Sequence, residues 1–203
     1  MVNLTRIYTR TGDDGTTSLG DMSRTGKNDP RLKAYADVDE ANCTIGMVVS
    51  SATNTGELEQ EVIELLISIQ NDLFDVGADL CTPVKDGEDD DGATVALRVR
   101  DPYIERLEKA CDGYNALLEP LRSFVLPGGT MTAAHLHVAR TVTRRAERST
   151  WAALDAYHGG MNPLTATYLN RLSDLLFILA RVSNKDNGGD VLWAPGAVQK
   201  TQS

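Results

Sequence analysis

The chain has 203 residues, which suits one domain or two small ones, and 41% hydrophobic with 24% charged residues is ordinary for a globular protein. A formal net charge of -9 argues against general binding to nucleic acids or to an anionic membrane surface. Basic residues are nevertheless concentrated: residues 1–35 hold six Lys or Arg against four Asp, and residues 140–148 hold four Arg against one Glu. Any anion-binding site is therefore expected to be local.

The cysteines bear on the cellular compartment. Cys43, Cys81 and Cys111 are widely spaced and odd in number, which favours reduced, buried thiols over a disulfide framework. The first residues do not resemble a signal peptide, and no apolar run approaches membrane-spanning length. We therefore expect a cytoplasmic protein.

Residues 1–29 are predicted to form an irregular arm. They are rich in Gly, Thr, Ser and Asp, which favour turns, and a connection of this length is typical either of a binding loop or of a disordered segment. Gly15 and Gly20 have the spacing of a P-loop, but Asp21 stands where that motif needs lysine, so a P-loop ATPase is excluded. The backbone N–H groups and hydroxyls of the arm can still wrap an anion.

Five helical segments follow, each with apolar residues at intervals of three and four. Their apolar stripes run from Ala34 to Val48, Leu58 to Val76, Ile104 to Leu118, Met131 to Ala156 and Leu164 to Val182. Pro30 suits the first turn of the first helix, with Asp29 as its cap. No segment is a credible strand, so we predict a single all-α domain over 1–203, with a five-helix bundle over 30–185 and a loop-like tail over 186–203.

The fourth segment carries a row of arginines. Arg140, Arg144 and Arg148 follow one another at i, i+4 and i+8, a spacing at which like charges destabilise an isolated helix. The row therefore indicates either an anion lying over it or acidic partners on neighbouring helices. Arginine suits the first role, because it donates bidentately to phosphate and keeps its charge. Arg145 points away from the row, and pairing with acids is favoured for it.

Other polar or special positions leave alternatives open. The segment FVLPGGT places Phe124 before a tight turn and Thr130 as a helix cap, and core packing is the favoured interpretation for Phe124. Asn170 interrupts an apolar stripe and needs hydrogen-bonding partners, from another helix or from a ligand. The histidines and the acidic run at 88–91 lack metal-ligand spacing, and no nucleophile signature is present.

Five segments in this order resemble the PduO-type ATP:cob(I)alamin adenosyltransferases. They are IYTRTGDDGTTSLG, KNDPRLKAYADVDEANCTIG, FVLPGGT, LHVARTVTRRAERSTW and YLNRLSDLLFILAR, and the match that runs from the first to the last spans nearly the whole chain. The resemblance implies a five-helix bundle assembled as a homotrimer, with active sites between neighbouring subunits. It also implies transfer of the 5′-deoxyadenosyl group of ATP to the cobalt of cob(I)alamin, giving adenosylcobalamin and triphosphate.

The resemblance further implies site residues. ATP would be bound by Thr9, Arg10, Thr11, Gly12, Thr17, Lys27, Arg144, Arg145, Ala146, Glu147, Arg148 and Asn170. The reaction would depend on Arg140, Arg144, Asp39 and Phe124. Asp39 would pair with Arg140 across the interface, and Phe124 would lie against the corrin ring and disfavour a lower axial ligand. The family often has lysine where this chain has Asp14, so the phosphate contacts of that turn are expected to differ.

The implied substrates are MgATP and cob(I)alamin, and we predict no metal-binding residues. Because cobalt is the nucleophile, the protein has to stabilise the departing triphosphate, which preorganised arginines and magnesium would do. A flavin-dependent reductase and an adenosylcobalamin-dependent mutase are the implied protein partners. Two other classes stay open at this point: a trimeric module that delivers ATP or adenosylcobalamin without turnover, and a structural bundle with a disordered arm.

Overall fold

The computed structural model describes residues 8–84 and 96–196. Its helices are α1 Pro30–Thr55, α2 Gln60–Cys81, α3 Asp101–Asn115, α4 Met131–Ala156 and α5 Leu164–Lys185, preceded by strands β1 Thr16–Ser18 and β2 Arg24–Gly26. The five helices are confirmed in number and order, and α4 has the predicted bounds. Helix α3 ends earlier than its apolar stripe suggested, because the stripe continues into a turn.

The helix ends follow local chemistry. The side chain of Asp29 accepts a hydrogen bond from the backbone N–H of Arg31, with Pro30 in the first turn, and Thr130 caps α4 by accepting from the N–H of Ala133. Helix α1 ends at Gly56, whose φ of 67° is the left-handed conformation that glycine adopts at little cost. The predicted caps are therefore confirmed.

Helices α1 and α4 form the centre of the bundle. Helix α1 also packs against α2, α4 against α5, and α5 against α3. Fully buried alanines on α1 and α4, among them Ala34, Ala41, Ala139 and Ala146, leave little side-chain volume between these two helices. Larger core residues come mainly from α2 and α5. Among the described residues, no helix is long and apolar enough to cross a membrane.

The expectation of no strands was wrong for the arm. Strands β1 and β2 pair antiparallel, with Thr17 opposite Thr25. Asp14 accepts hydrogen bonds from the backbone N–H and the hydroxyl of Thr16. Asp21 accepts from the backbone N–H and the hydroxyl of Ser23 in the same way. These aspartate turns shape the hairpin, and three-residue strands are too short to show hydrophobic alternation.

The hairpin is docked on one end of the bundle, which we call the arm end. The backbone N–H of Gly20 donates to the carbonyl of Cys81 at the end of α2, at 2.8 Å. A side chain on Gly20 would clash with Thr82, so glycine is required for this close approach. The described part of the arm is therefore packed against the bundle, with the C-terminal ends of α2 and α4 beside it.

Candidate active site

The arginine row on α4 is rich in uncompensated charge. Among residues 8–84 and 96–196, no carboxylate lies within 4.0 Å of the guanidinium groups of Arg140, Arg144 or Arg148. Arg145 instead contacts Asp37 and Glu40 on α1. Pairing with acids therefore explains Arg145 but not the row.

Arg140 is the most enclosed member of the row. Burial, together with the positive charge of Arg144, lowers the pKa of Arg140. Its Nε is buried and has no hydrogen-bond partner within the described parts of the chain. Its guanidinium carbon lies 6.0 Å from the centroid of the Phe177 ring. A nearby anion would satisfy both the charge and the open donor.

A cavity of about 200 Å³ lies beside the row, between α4 and α5. It is lined by Arg140, Arg144, Ser173, Asp174, Phe177 and Ile178. Two guanidinium groups and an apolar wall make it suited to an anion attached to a less polar group. Its volume is below the roughly 300–1,000 Å³ of typical small-molecule sites, so further surface is needed to enclose a nucleotide.

The rest of the segment 144–148 points in several directions. Glu147 accepts from the side-chain amide nitrogen of Asn170 at 3.1 Å, and the side-chain amide oxygen of Asn170 accepts from the guanidinium group of Arg171 at 2.9 Å. Pairing with another helix is therefore how Asn170 meets its hydrogen-bonding need here. Ala146 is fully buried, and its methyl group faces the core. Arg144 and Arg148 are the members exposed to solvent.

The arm gathers the predicted nucleotide-binding residues at its turn. Thr9, Arg10 and Thr11 are exposed, and the hydroxyls of Thr9 and Thr11 are 2.9 Å apart. A Cβ on Gly12 would lie 3.1 Å from Lys27 Nζ and 3.0 Å from a backbone oxygen, so glycine lets the lysine approach the turn. The turn thus combines exposed residues, hydroxyls and a lysine.

Arg24 is an arm residue that sequence reasoning missed. Its guanidinium donates to the carbonyl of Thr11 at 2.9 Å and to the hydroxyl of Thr16, and it lies 3.7 Å from the carboxylate of Asp14. Hydrogen bonds from Thr16, assisted by Arg24, lower the pKa of Asp14. The acid at the position where the family often has lysine is therefore paired inside the hairpin. The presence of Asp14 in a turn expected to bind an anion is the sequence signal that could have predicted a nearby cation such as Arg24.

Phe124 is not a core residue, and the core-packing interpretation was wrong: its side chain is 76% exposed. The segment before α4 pairs with the tail through an antiparallel bridge between Val125 and Leu192. The N–H of Trp193 donates to the carbonyl of Phe124 at 2.7 Å, and the two rings lie 5.9 Å apart. The predicted loop over 186–203 is thus anchored in its described part.

This pairing creates an apolar platform, by which we mean Phe124, Leu126, Val191 and Trp193. Side chains alternate along a strand, so these four residues share one face of the two-stranded ribbon. All four are exposed, by 45% to 76%. An exposed apolar surface of this kind is typical of a binding site. Sequence reasoning missed Val191 and Trp193, although the short apolar run 191–193 is a weak strand signal.

The ribbon is fixed to the bundle by Asn184, which is 1% exposed. Its amide oxygen accepts from the N–H of Thr130 at 3.0 Å, and its amide nitrogen donates to Gly128 and Asp190 at 3.1 and 3.3 Å. Arg181 also binds Asp190, at 2.8 Å. The platform therefore lies at the N-terminal end of α4, opposite the arm end.

The arginine row lies between the platform and the arm end. At 1.5 Å per residue, Arg140 is about 15 Å along α4 from Thr130, and Arg148 is about 13 Å from Tyr157. Asp39 is exposed on α1, and no cation among the described residues lies within 4.0 Å of it. Its pairing with Arg140 of a neighbouring subunit stays a prediction.

The histidines offer no alternative centre. His137 is buried against Phe177, and burial followed by the charge of Arg140 lowers its pKa. Within the described ranges, no group of three or more His, Cys, Asp or Glu could hold a metal ion. The cationic and apolar surfaces described above are therefore the features that point to a ligand.

Comparison with known proteins gives a consistent result. Residues 7–183 match the family model described as cobalamin adenosyltransferase. The corrinoid adenosyltransferase of Mycobacterium bovis is 60% identical over 195 residues, or 96% of each chain. That of Bacillus subtilis is 38% identical over 194 residues, covering 95% of this chain and 94% of that protein. A variant PduO-type ATP:corrinoid adenosyltransferase from Lactobacillus reuteri, solved with cobalamin and ATP, has a TM-score of 0.79 and 35% identity, covering 93% of this chain and 99% of that chain.

Proposed function

The chain belongs to the cobalamin adenosyltransferase family and is an ATP:corrinoid adenosyltransferase, and on that premise we propose that the arm, the arginine row and the platform form its active site. The observation that carries the assignment of the site is the row: three guanidinium groups without a carboxylate partner in the described chain. In an acidic protein, such a row is better explained by an anionic substrate that binds over it than by arginines that are only solvated.

The row would stabilise the leaving group. As the bond between cobalt and C5′ forms, the bond from C5′ to oxygen breaks, and its electron pair goes to triphosphate. Arg144 and Arg148 are exposed and stay charged, so they can donate to phosphate oxygens as this charge develops. Arg140 lies deeper, beside the cavity, where the donor of its Nε remains open.

The arm would hold the phosphates from another side. Thr9, Arg10, Thr11 and Gly12 present backbone N–H groups and side chains at the turn, and Lys27 lies next to it. Thr17 follows on β1. Because Asp14 is paired with Thr16 and Arg24, its repulsion of phosphate is reduced. We take MgATP as the nucleotide substrate, with magnesium offsetting more of the triphosphate charge.

The platform would receive the corrin. Phe124 and Trp193 offer exposed rings on one face, suited to a flat macrocycle. An apolar surface below the cobalt would exclude water and a lower axial ligand, which eases reduction of Co(II) to the nucleophilic Co(I) state. The protein supplies this environment, and the cobalt supplies the nucleophile.

We further propose a homotrimer with sites between subunits. The cavity in one chain is too small for a nucleotide, and both Arg140 and Asp39 lack ion-pair partners among the described residues. Val138 and Trp151 are about half exposed on α4, and Trp151 follows Arg148 by one helical turn, as expected of a contact surface. A second copy would cover this face and bring Asp39 to Arg140.

The reductase, the mutase and the cytoplasmic location belong to the same proposal. Cys43, Cys81 and Cys111 are all free thiols, which supports a reducing compartment. Delivery of the product to a mutase would make the protein a carrier as well as a catalyst. Retention of adenosylcobalamin after a single turnover, with release on adding the mutase, would support that additional role.

The direct test is formation of the Co–C bond from cob(I)alamin and MgATP under reducing conditions, followed by visible absorbance together with triphosphate release. Wild-type protein that forms neither product contradicts the function. The shared site is tested by mixing two inactive variants, Asp39→Ala and Arg140→Ala. Activity regained on co-assembly supports a site between subunits, whereas none regained in verified mixed trimers contradicts it.

A further inference from the structure

A cluster outside the predicted site joins the arm to the arginine helix. The hydroxyl of Tyr157, directly after α4, donates to Asp29 at 2.5 Å. Thr25 on β2 donates to the same carboxylate oxygen at 2.7 Å, and the N–H of Arg31 donates to the other oxygen at 2.8 Å. We call Tyr157, Asp29 and Thr25 the latch. One carboxylate thus connects the hairpin, the start of α1 and the end of α4.

Tyr157 is itself held from its ring face. The guanidinium carbon of Arg31 lies 4.5 Å from the ring centroid, a cation–π distance. Arg31 is 1% exposed and donates to the carbonyls of Leu80 and Gly160 at 2.8 and 2.9 Å. The phenol therefore has little freedom to leave Asp29.

The charge state of the latch agrees with this geometry. Burial alone would favour neutral Asp29, but hydrogen bonds from Tyr157 and Thr25 lower its pKa. The hydrogen bond to Asp29, with burial, raises the pKa of Tyr157. At neutral pH the pair is a carboxylate and a phenol that donates to it.

The position of the latch gives it a role in catalysis. Thr25 pairs with Thr17 across the hairpin, and Lys27 follows two residues later. Tyr157 comes nine residues after Arg148, at the end of the helix that carries the row. The hairpin also contacts the bundle through the backbone hydrogen bond from Gly20 to Cys81. The latch thus fixes the orientation of the hairpin relative to α4.

We propose that Tyr157 is a positioning residue for the nucleotide, acting through Asp29 to hold the hairpin in its binding pose. The inference rests on the proposed function, since it assumes that the arm binds ATP. Loss of the hydroxyl removes the link between α4 and Asp29 and so loosens the hairpin, although the bonds from Thr25 and Gly20 remain; ATP must then restore its orientation on binding. The effect falls on ATP affinity and not on the corrin surface at the other end of α4.

The test compares Tyr157→Phe with Tyr103→Phe. The control removes the same kind of bond, since the hydroxyl of Tyr103 donates to Asp75 at 2.8 Å between α3 and α2, away from the arm. We expect Tyr157→Phe to raise the KM for ATP about tenfold, the loss of one hydrogen bond to a charged group. The KM for the corrinoid and the kcat at saturating ATP should stay near wild-type values. Tyr103→Phe should leave both KM values unchanged.

Hydrogen exchange without ligand gives a second measurement. Amides of residues 16–29 should exchange faster in Tyr157→Phe and not in Tyr103→Phe, with the interior of α4 unchanged in both. A wild-type KM for ATP in Tyr157→Phe overturns the proposal, as does an equal rise in the control variant. If wild-type protein does not adenosylate corrinoids, the proposed function fails, while the exchange rates still decide whether the latch orders the hairpin.

Discussion

The two ends of α4 are built from opposite chemistry. At the C-terminal end, Tyr157 binds a carboxylate that also orders the hairpin, and the surface beside it is rich in hydroxyls, N–H groups and cations. At the N-terminal end, Asn184 ties down a ribbon whose outer face is apolar. The arginine row lies between them on the same helix.

This difference shows how one rigid element can serve two unlike substrates. A triphosphate needs donors and charge, whereas a corrin needs a dry, flat surface. Both surfaces belong to segments distant in sequence, yet each is fixed to an end of α4 by polar side chains that are buried or half-buried. Variants at the two ends should therefore separate ATP binding from corrinoid binding.

The largest effect is expected from the middle of the helix. Arg144→Ala should lower kcat by about 10²–10³-fold, because a preorganised donor to the leaving group is lost. Arg145→Ala is the matched variant, one residue away: it removes partly exposed contacts to Asp37 and Glu40, worth roughly 0.2–1 kcal/mol of stability. Steady-state kinetics and thermal unfolding measure both. An equal loss of kcat in the two variants would contradict the distinction between the row and Arg145.

Asparagines at the two ends offer a stability comparison. Asn184→Ala and Asn162→Ala each remove three hydrogen bonds, and each should lower the free energy of unfolding by about 2–3 kcal/mol, because buried partners lose their bonds. Only Asn184→Ala should also raise the KM for the corrinoid, because of the two asparagines only Asn184 anchors the ribbon. Denaturant unfolding measures the loss of stability, and steady-state kinetics with ATP and the corrinoid varied in turn measures the two KM values. A similar rise in both variants would show that the effect is global.

Much of this layout was predictable because its signals are local. Apolar periodicity and the caps Asp29 and Thr130 located the helices, and the helical spacing separated Arg145 from the row. The exposure of Phe124 was not predictable, because it depends on pairing with residues almost seventy positions later. The hairpin was missed for a different reason: aspartate side chains at Asp14 and Asp21 shape its turns, and its strands are too short to carry a pattern.

The substitution Phe124→Ala should affect only corrinoid binding at the platform. We expect the KM for the corrinoid to rise about tenfold, from the loss of apolar contact, with the KM for ATP unchanged. Leu117→Ala is the control, because Leu117 is also exposed, at 55%, but lies outside the platform. A wild-type KM for the corrinoid in Phe124→Ala would remove the platform from the proposed site.

The smallest effect concerns acid stability at the arm end. The folded-state pKa of Asp29 is lowered below its ordinary 3.8, so its contribution to stability is present above that value and is lost as pH falls through the folded value. Asp29→Asn, which keeps a capping side chain, should therefore show a shallower loss of stability below about pH 4. Glu57→Gln is the counterpart at the other end, since hydrogen bonds from Thr132 lower the pKa of Glu57 against the effect of burial. Urea unfolding between about pH 2 and pH 6, which brackets the ordinary Asp and Glu pKa values, measures how steeply the free energy of unfolding changes with pH. A wild-type slope in Asp29→Asn would contradict the sign.

The pairing of Asp14 with Arg24 carries an evolutionary consequence. Because the acid in the turn before β1 lies beside a cation on β2, the two positions act as one exchangeable unit. A relative with lysine at the first position has no such acid to pair. We expect the two sites to vary together across descendants of a common ancestor, so that a positive charge is kept either in the turn or on β2.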